Sequence, residues 1–296
     1  MKCVPVAFIP HPFSNKIKMV KNFHPDLSQS WLLIALLVVA GSLLAAFINI
    51  IVLLASPSMS GSVEMLTYPV LFIPPAIAIY YISKSKAGKT ESFSEINSPD
   101  FGKIGKILTF ILLLPLVFSI NIISEPLTHW MGVPDFLINF INKIQDNKIS
   151  GFLAVVIFAP LLEEVFCRGI ILRGLLTNGL SPAKAIIWSS LMFAIMHLNP
   201  WQAIPAFILG ALMGWVYWKT HSLWAAIFIH FVNNGFSYIV TVFFPEIPAH
   251  YGYIDLIPES YYFVVYVVSI LFSAGVIYLM NKNYVKTISV KIHPDY

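Results

Sequence analysis

Apolar and polar positions along this chain separate into long blocks instead of alternating on a short period. A helix needs about 20 apolar residues to cross roughly 30 Å of hydrocarbon. On that measure eight stretches qualify, at 31–54, 63–82, 107–123, 152–172, 182–198, 201–218, 223–244 and 261–280. The fifth and sixth are short, and Pro200 and Pro205 mark places where they tilt or break. The segment 126–149 is mildly amphipathic and reads as an interfacial helix, while 83–106 is the one polar loop of any length. No internal repeat is visible. The expectation is an all-α, polytopic membrane helix bundle of about eight transmembrane helices. It divides into a tail (1–30), three first spans with their loops (31–149), a helical core (150–244), and a last span with its tail (245–296).

Composition makes lipid the main solvent. Hydrophobic residues are 58% of the chain and charged residues 11%, with a mean hydropathy of +0.79. A soluble domain carries about a quarter charged residues, so these few could not coat a globule of this length. The net charge of +4 is small and its basic residues gather on no single domain, which argues against a nucleic-acid partner. Cys3 and Cys167 lie far apart and imply no disulfide framework. The first 30 residues hold four lysines without an apolar core, so no cleavable signal peptide is expected.

Lysine and arginine set the expected orientation. One side receives Lys2, Lys16, Lys18 and Lys21, then Lys84, Lys86, Lys89, Lys103 and Lys106. Arg173, Lys184, Lys219, Lys282, Lys286 and Lys291 fall on the same side. The other side receives only Lys143 and Lys148. Both termini are therefore expected to face the cytoplasm.

Ionisable groups inside hydrocarbon cost several kcal/mol and mark function by default. The deep set is Glu163, Glu164, Arg168, His197 and His230, with Asn233 and Asn234 beside the last. Glu64 falls near an outer helix end. Residues four apart share a helix face, whereas neighbours point about 100° apart. Glu164 and Arg168 are thus stacked as a structural ion pair, and Glu163 is turned away with its carboxylate free. His230 and Asn234 share a face, and Asn233 points elsewhere. Phe193 lies one turn before His197 and can hold its ring. Asn49 and Asn121 read as amides bonding to neighbouring helices, and Cys167 as a small packing residue.

This set suits hydrolysis. Glu163 with His197 can take a proton from water and aim it at a carbonyl carbon. His230 and Asn234 can donate to the oxyanion that follows.

Three motifs carry a family likeness: Glu163-Glu164-Val-Phe-Cys-Arg168 (EExxxR), Phe193-Ala-Ile-Met-His197 (FxxxH) and His230-Phe-Val-Asn-Asn234 (HxxxN). Together, over roughly residues 150–240, they resemble the CPBP family of CAAX-prenyl-protease and bacteriocin-processing (Abi) intramembrane endopeptidases. The resemblance implies peptide-bond hydrolysis in the membrane, with Glu163, His197, His230 and Asn234 catalytic and Glu164 and Arg168 supporting. It also implies a peptide or protein substrate, membrane-anchored or lipidated in some lineages. No cofactor is expected. The alternative is a zinc-dependent form of the same protease, with Glu163, His197 and His230 as ligands. Two readings from other classes are a transporter with midplane charges and a non-catalytic immunity or scaffold protein.

Overall fold

The computed structural model describes residues 23–284 except 57–58, 60–61, 64–66, 87–94 and 249–250. Glu64, Cys3, Lys89, Lys286, Lys291 and the N-terminal lysines Lys2, Lys16, Lys18 and Lys21 lie outside the described residues. The described chain is helical, and no strand occurs in it. In order it forms α1 (Leu27–Ala55), α2 (Ile73–Lys86), α3 (Lys106–Leu127), α4 (Asp135–Asp146) and α5 (Lys148–Thr177). Then come α6 (Pro182–Ile195), α7 (Pro200–Thr220), α8 (Leu223–Phe243), the single turn α9 (Tyr253–Leu256) and α10 (Glu259–Asn283). Each of the eight apolar stretches has become a helix, and the chain is an all-α polytopic membrane protein. Five of them, α1, α3, α5, α8 and α10, are long and apolar enough to cross a membrane, and α2 and α6 are shorter apolar helices. The amphipathic segment is α4, which buries Leu137 and Ile144 at a two-turn spacing.

Two boundaries differ from the hydropathy reading, and both bear on the site. The fourth span was expected to end at Leu172, yet α5 continues to Thr177. Apolar content drops at Arg173, but Arg173 and Gly174 are buried against the preceding chain, so helix propagation outlasts hydrophobicity. The fifth span was expected to reach residue 198, but α6 ends at Ile195 and His197 sits in the turn that follows. From Glu163 to the end of α5 is then about 21 Å at about 1.5 Å per residue. That matches the length of chain from Pro182 to His197, so the two can reach one level. α8 starts deeper, with the side chain of Leu223 beside Gly169 of α5. The chain before α3 covers that recessed end: Ser98 and Asp100 donate backbone bonds to His221 and Thr220, and Asn97 Oδ1 accepts from the Leu223 amide at 2.8 Å.

The segment preceding α1 is seated on the end of α5. Asp26 caps α1 through a reciprocal box with Gln29. Asn178 Nδ2 donates to the carbonyls of His24 and Pro25, and Arg173 donates to Phe23 O. Gly174 is required here, since a Cβ would collide with the Pro25 backbone. Burial, with the positive charge of Arg173 beside it, pushes the His24 ring down to about 4. The folded state therefore binds fewer protons than the unfolded chain between about 6.5 and about 4. Stability from this seat is complete above the upper value and is lost as pH falls toward the lower one. The thermal midpoint of the purified protein should drop over that window, and His24→Leu should flatten the dependence.

The ends of the bundle sort the charges. Residues 23–26 lie by 173–178, residues 98 and 100 by 220–221, and Lys103 donates to Asn283 O at 3.1 Å. These are the ends assigned to the lysine-rich side. At the opposite end Asn147 bonds Ser62, Gln145 bonds Thr241, and Glu125 accepts from the Ile254 amide.

Candidate active site

The core of the bundle is built on a buried carboxylate. Glu164 and Arg168 are both 0% exposed, and their side chains meet at 2.9 Å across one turn of α5. Arg168 also donates to Gly210 O of α7 at 2.9 Å. A Cβ at Gly210 would lie 3.2 Å from that guanidinium and from the Phe193 ring, so glycine lets α7 approach. The expected structural pair is present. A third member joins it from α8, for His230 Nδ1 lies 2.8 Å from the same Glu164 oxygen. A carboxylate can only accept here, so Nδ1–H donates and Nε2 is left facing away.

Phe193 is the hub of this cluster. The Arg168 guanidinium stacks on its ring at 4.6 Å from the centroid. The rings of His230 and His197 meet it edge-on at 5.5 and 5.2 Å. His197 Nδ1 lies 3.0 Å from the Phe193 carbonyl. That oxygen also only accepts, so the His197 tautomer carries its proton on Nδ1 and keeps a lone pair on Nε2. The turn holding His197 includes Leu198 at φ 57°, a left-handed backbone costing a branched-chain residue about 1–2 kcal/mol. Asn199 closes the turn, donating to His197 O at 2.8 Å and capping α7 at Gln202.

Glu163 sits one residue along α5, 8% exposed, and accepts a short hydrogen bond from Tyr68 Oη. Its other oxygen is buried with no donor among the described residues. Asn234 is one turn beyond His230 and donates to Val155 O of α5 at 2.9 Å. That carbonyl is open for a local reason. The Ala159 amide, its usual helical partner, bonds Ala154 O instead, in a widened turn. The next amide would come from Pro160, which has none. Asn233 was expected to point elsewhere; instead its Nδ2 reaches Asn234 Oδ1 at 3.1 Å. Asn233 Oδ1 in turn accepts from Asn121 Nδ2 of α3 at 2.9 Å.

Arg168, His197 and His230 thus converge on the Phe193 ring, and Glu164 bonds both Arg168 and His230. Glu163 and Asn234 flank the cluster through contacts of their own. Tyr68 was missed by sequence reasoning, because a tyrosine at the start of an apolar stretch reads as an interfacial belt residue. Cys167 is fully buried with Sγ 3.8 Å from Met196 Sδ, in keeping with a packing role. Among the described residues no three His, Cys, Asp or Glu side chains are grouped to hold a metal ion. Glu163, His197 and His230, the donor set expected for zinc, are not grouped in this way.

Fold and site together define a polytopic membrane helix bundle with an ionisable cluster at its core. Residues 145–236 match the family model described as type II CAAX prenyl endopeptidase Rce1-like, consistent with the CPBP family that the motifs resemble. The matched part runs from the end of α4 into α8, contains all three motifs, and supports an intramembrane protease family. No curated protein and no solved structure matches the chain.

Proposed function

We propose that this chain is an intramembrane endopeptidase of the CAAX-protease type, working without a cofactor on a membrane-anchored or lipidated peptide. In this reading Glu163 takes a proton from water, with His197 Nε2 accepting the second hydrogen bond and aiming the oxygen. The resulting hydroxide attacks the scissile carbonyl carbon, and His230 and Asn234 hold the oxyanion. The protonated Glu163 then returns its proton to the departing amide nitrogen as the C–N bond breaks. With Nδ1–H committed to Glu164, His230 Nε2 donates to that oxyanion only when the ring carries both protons. Both termini, with the lysine-rich end of the bundle, face the cytoplasm.

The observation that carries this reading is the state of the two imidazoles. Each commits Nδ1 to a fixed acceptor, which leaves both Nε2 atoms uncommitted, and Glu163 on α5 keeps a buried carboxylate oxygen with no donor among the described residues. The test compares membranes of cells expressing wild-type chain or Glu163→Gln for newly formed peptide termini. Wild type should yield termini that the variant lacks, and reconstituted wild-type protein should cut the same peptides in the presence of a chelator. Identical termini in both membranes, with no cleavage by reconstituted protein, would remove the enzyme reading. Cleavage abolished by the chelator and restored by zinc would favour the metal-dependent form.

A further inference from the structure

The chain of three amides at the far end of the cluster has a direction, and a backbone carbonyl sets it. Val155 O can only accept, so Asn234 must turn its NH2 group toward it. That turns Asn234 Oδ1 toward Asn233, which must then donate, at 3.1 Å. Asn233 Oδ1 is consequently the acceptor for Asn121 Nδ2 at 2.9 Å. Every amide in the row is pinned to one of its two flip states. The row begins on α3, which lies outside the matched residues 145–236, and it shares a side-chain hydrogen bond with Tyr253 of α9. It ends on the widened turn of α5, where the Ala159 amide and Pro160 both leave the carbonyl open.

A primary amide has two N–H bonds. Asn234 spends one on Val155 O, and the geometry of the planar group then aims the other in a single direction. Val155 O and Asn233 hold this orientation together; without Asn233 on its oxygen, only the single bond to Val155 O opposes rotation of Asn234 about its terminal bond, which would present Oδ1 where a donor is required. An acceptor in that position would repel an oxyanion instead of holding it. The cost of reversing one amide in low dielectric is large, because each polar group loses a partner that no water replaces.

We infer that Asn121 and Asn233 are positioning residues: they lock the Asn234 side chain with its NH2 group toward the reacting carbonyl. This rests on the oxyanion role proposed above for Asn234, and it extends the site to a helix outside the matched domain. Asn121 touches no reacting atom and acts through Asn233 alone.

Two measurements test this. In protein labelled with 15N only on asparagine and held in detergent micelles, Asn121→Leu should shift or broaden the side-chain NH2 pair of Asn234, although Asn121 does not contact it. An unchanged pair overturns the inference whatever the activity. On the peptides that wild type cuts and Glu163→Gln does not, Asn121→Leu and the isosteric Asn233→Asp should each lower kcat about tenfold to a hundredfold. KM should stay within about twofold, since the substrate's own contacts are untouched. On an Asn234→Ala background the same two changes should cost almost nothing further, as residues acting through one group are not additive. Additive losses on that background overturn the inference and leave the protease reading standing. If wild-type protein cuts nothing, the protease reading falls, and the resonance of Asn234 still decides whether the row holds its amide.

Discussion

Arg168→Met should destabilise the protein by about 3–5 kcal/mol, the usual cost of removing one partner from a buried ion pair. Arg168 is wholly buried and joins three helices: Glu164 on its own helix, the Phe193 ring on α6 and the Gly210 carbonyl on α7. Methionine fills much of the volume but leaves His230 as the only partner of the Glu164 carboxylate among the described residues. In hydrocarbon that charge has no water to turn to. The measure is denaturant or thermal unfolding of the detergent-solubilised protein. The control is the double change Arg168→Met with Glu164→Leu, which removes both charges and should recover more than half of the loss. If the single and double variants are equally unstable, packing against Phe193 is the dominant contribution and the electrostatic account fails.

His230→Phe should show the opposite pattern, folding nearly as well as wild type while cleaving about 10²–10³-fold more slowly, the usual effect of losing one oxyanion donor. Phenylalanine occupies similar space against Phe193, and Glu164 keeps Arg168 at 2.9 Å, so no charge is orphaned. The loss should fall in kcat, since an oxyanion exists only after attack and contributes little to ground-state binding. Cleavage of wild-type substrates by purified variants gives the split. A variant that melts far below wild type would show that His230 serves the fold as much as the chemistry. The contrast with Arg168→Met separates the residue that holds the cluster together from the one proposed to face the carbonyl.

Much of this was legible along the chain because helices obey short-range rules. The eight apolar blocks each became a helix, since lipid offers the backbone no partners and only internal hydrogen bonding satisfies it. The pairing of Glu164 with Arg168 and of His197 with the Phe193 turn needed only a spacing of four. Glu163 also faces away from that pair, one residue along and 100° round.

Other features were not legible, for reasons visible in particular residues. The Glu164–His230 bond spans 66 positions, Tyr68–Glu163 spans 95, and Asn121–Asn233 spans 112. Asn233 looked unemployed because its helix face says nothing of a side chain that curls along the surface to its neighbour. The end of α5 was misplaced because hydropathy weighs Arg173 as polar, whereas the chain before α1 shelters it. With five more residues of helix on α5 and a recessed start to α8, His197 can reach the level of Glu163.

By itself the sequence determined the solvent, the helices, and which polar residues must find partners within the bilayer. Those outcomes depend on hydrophobicity and on contacts within one turn, and both are local. Tertiary structure alone decided which partner each group takes: His230 on Glu164, Tyr68 on Glu163, and Asn234 on the Val155 carbonyl that the widened turn and Pro160 leave open. The physical reason is that such choices depend on the depth and rotation of one helix against another. Those are set by the whole packed bundle and by no segment of it.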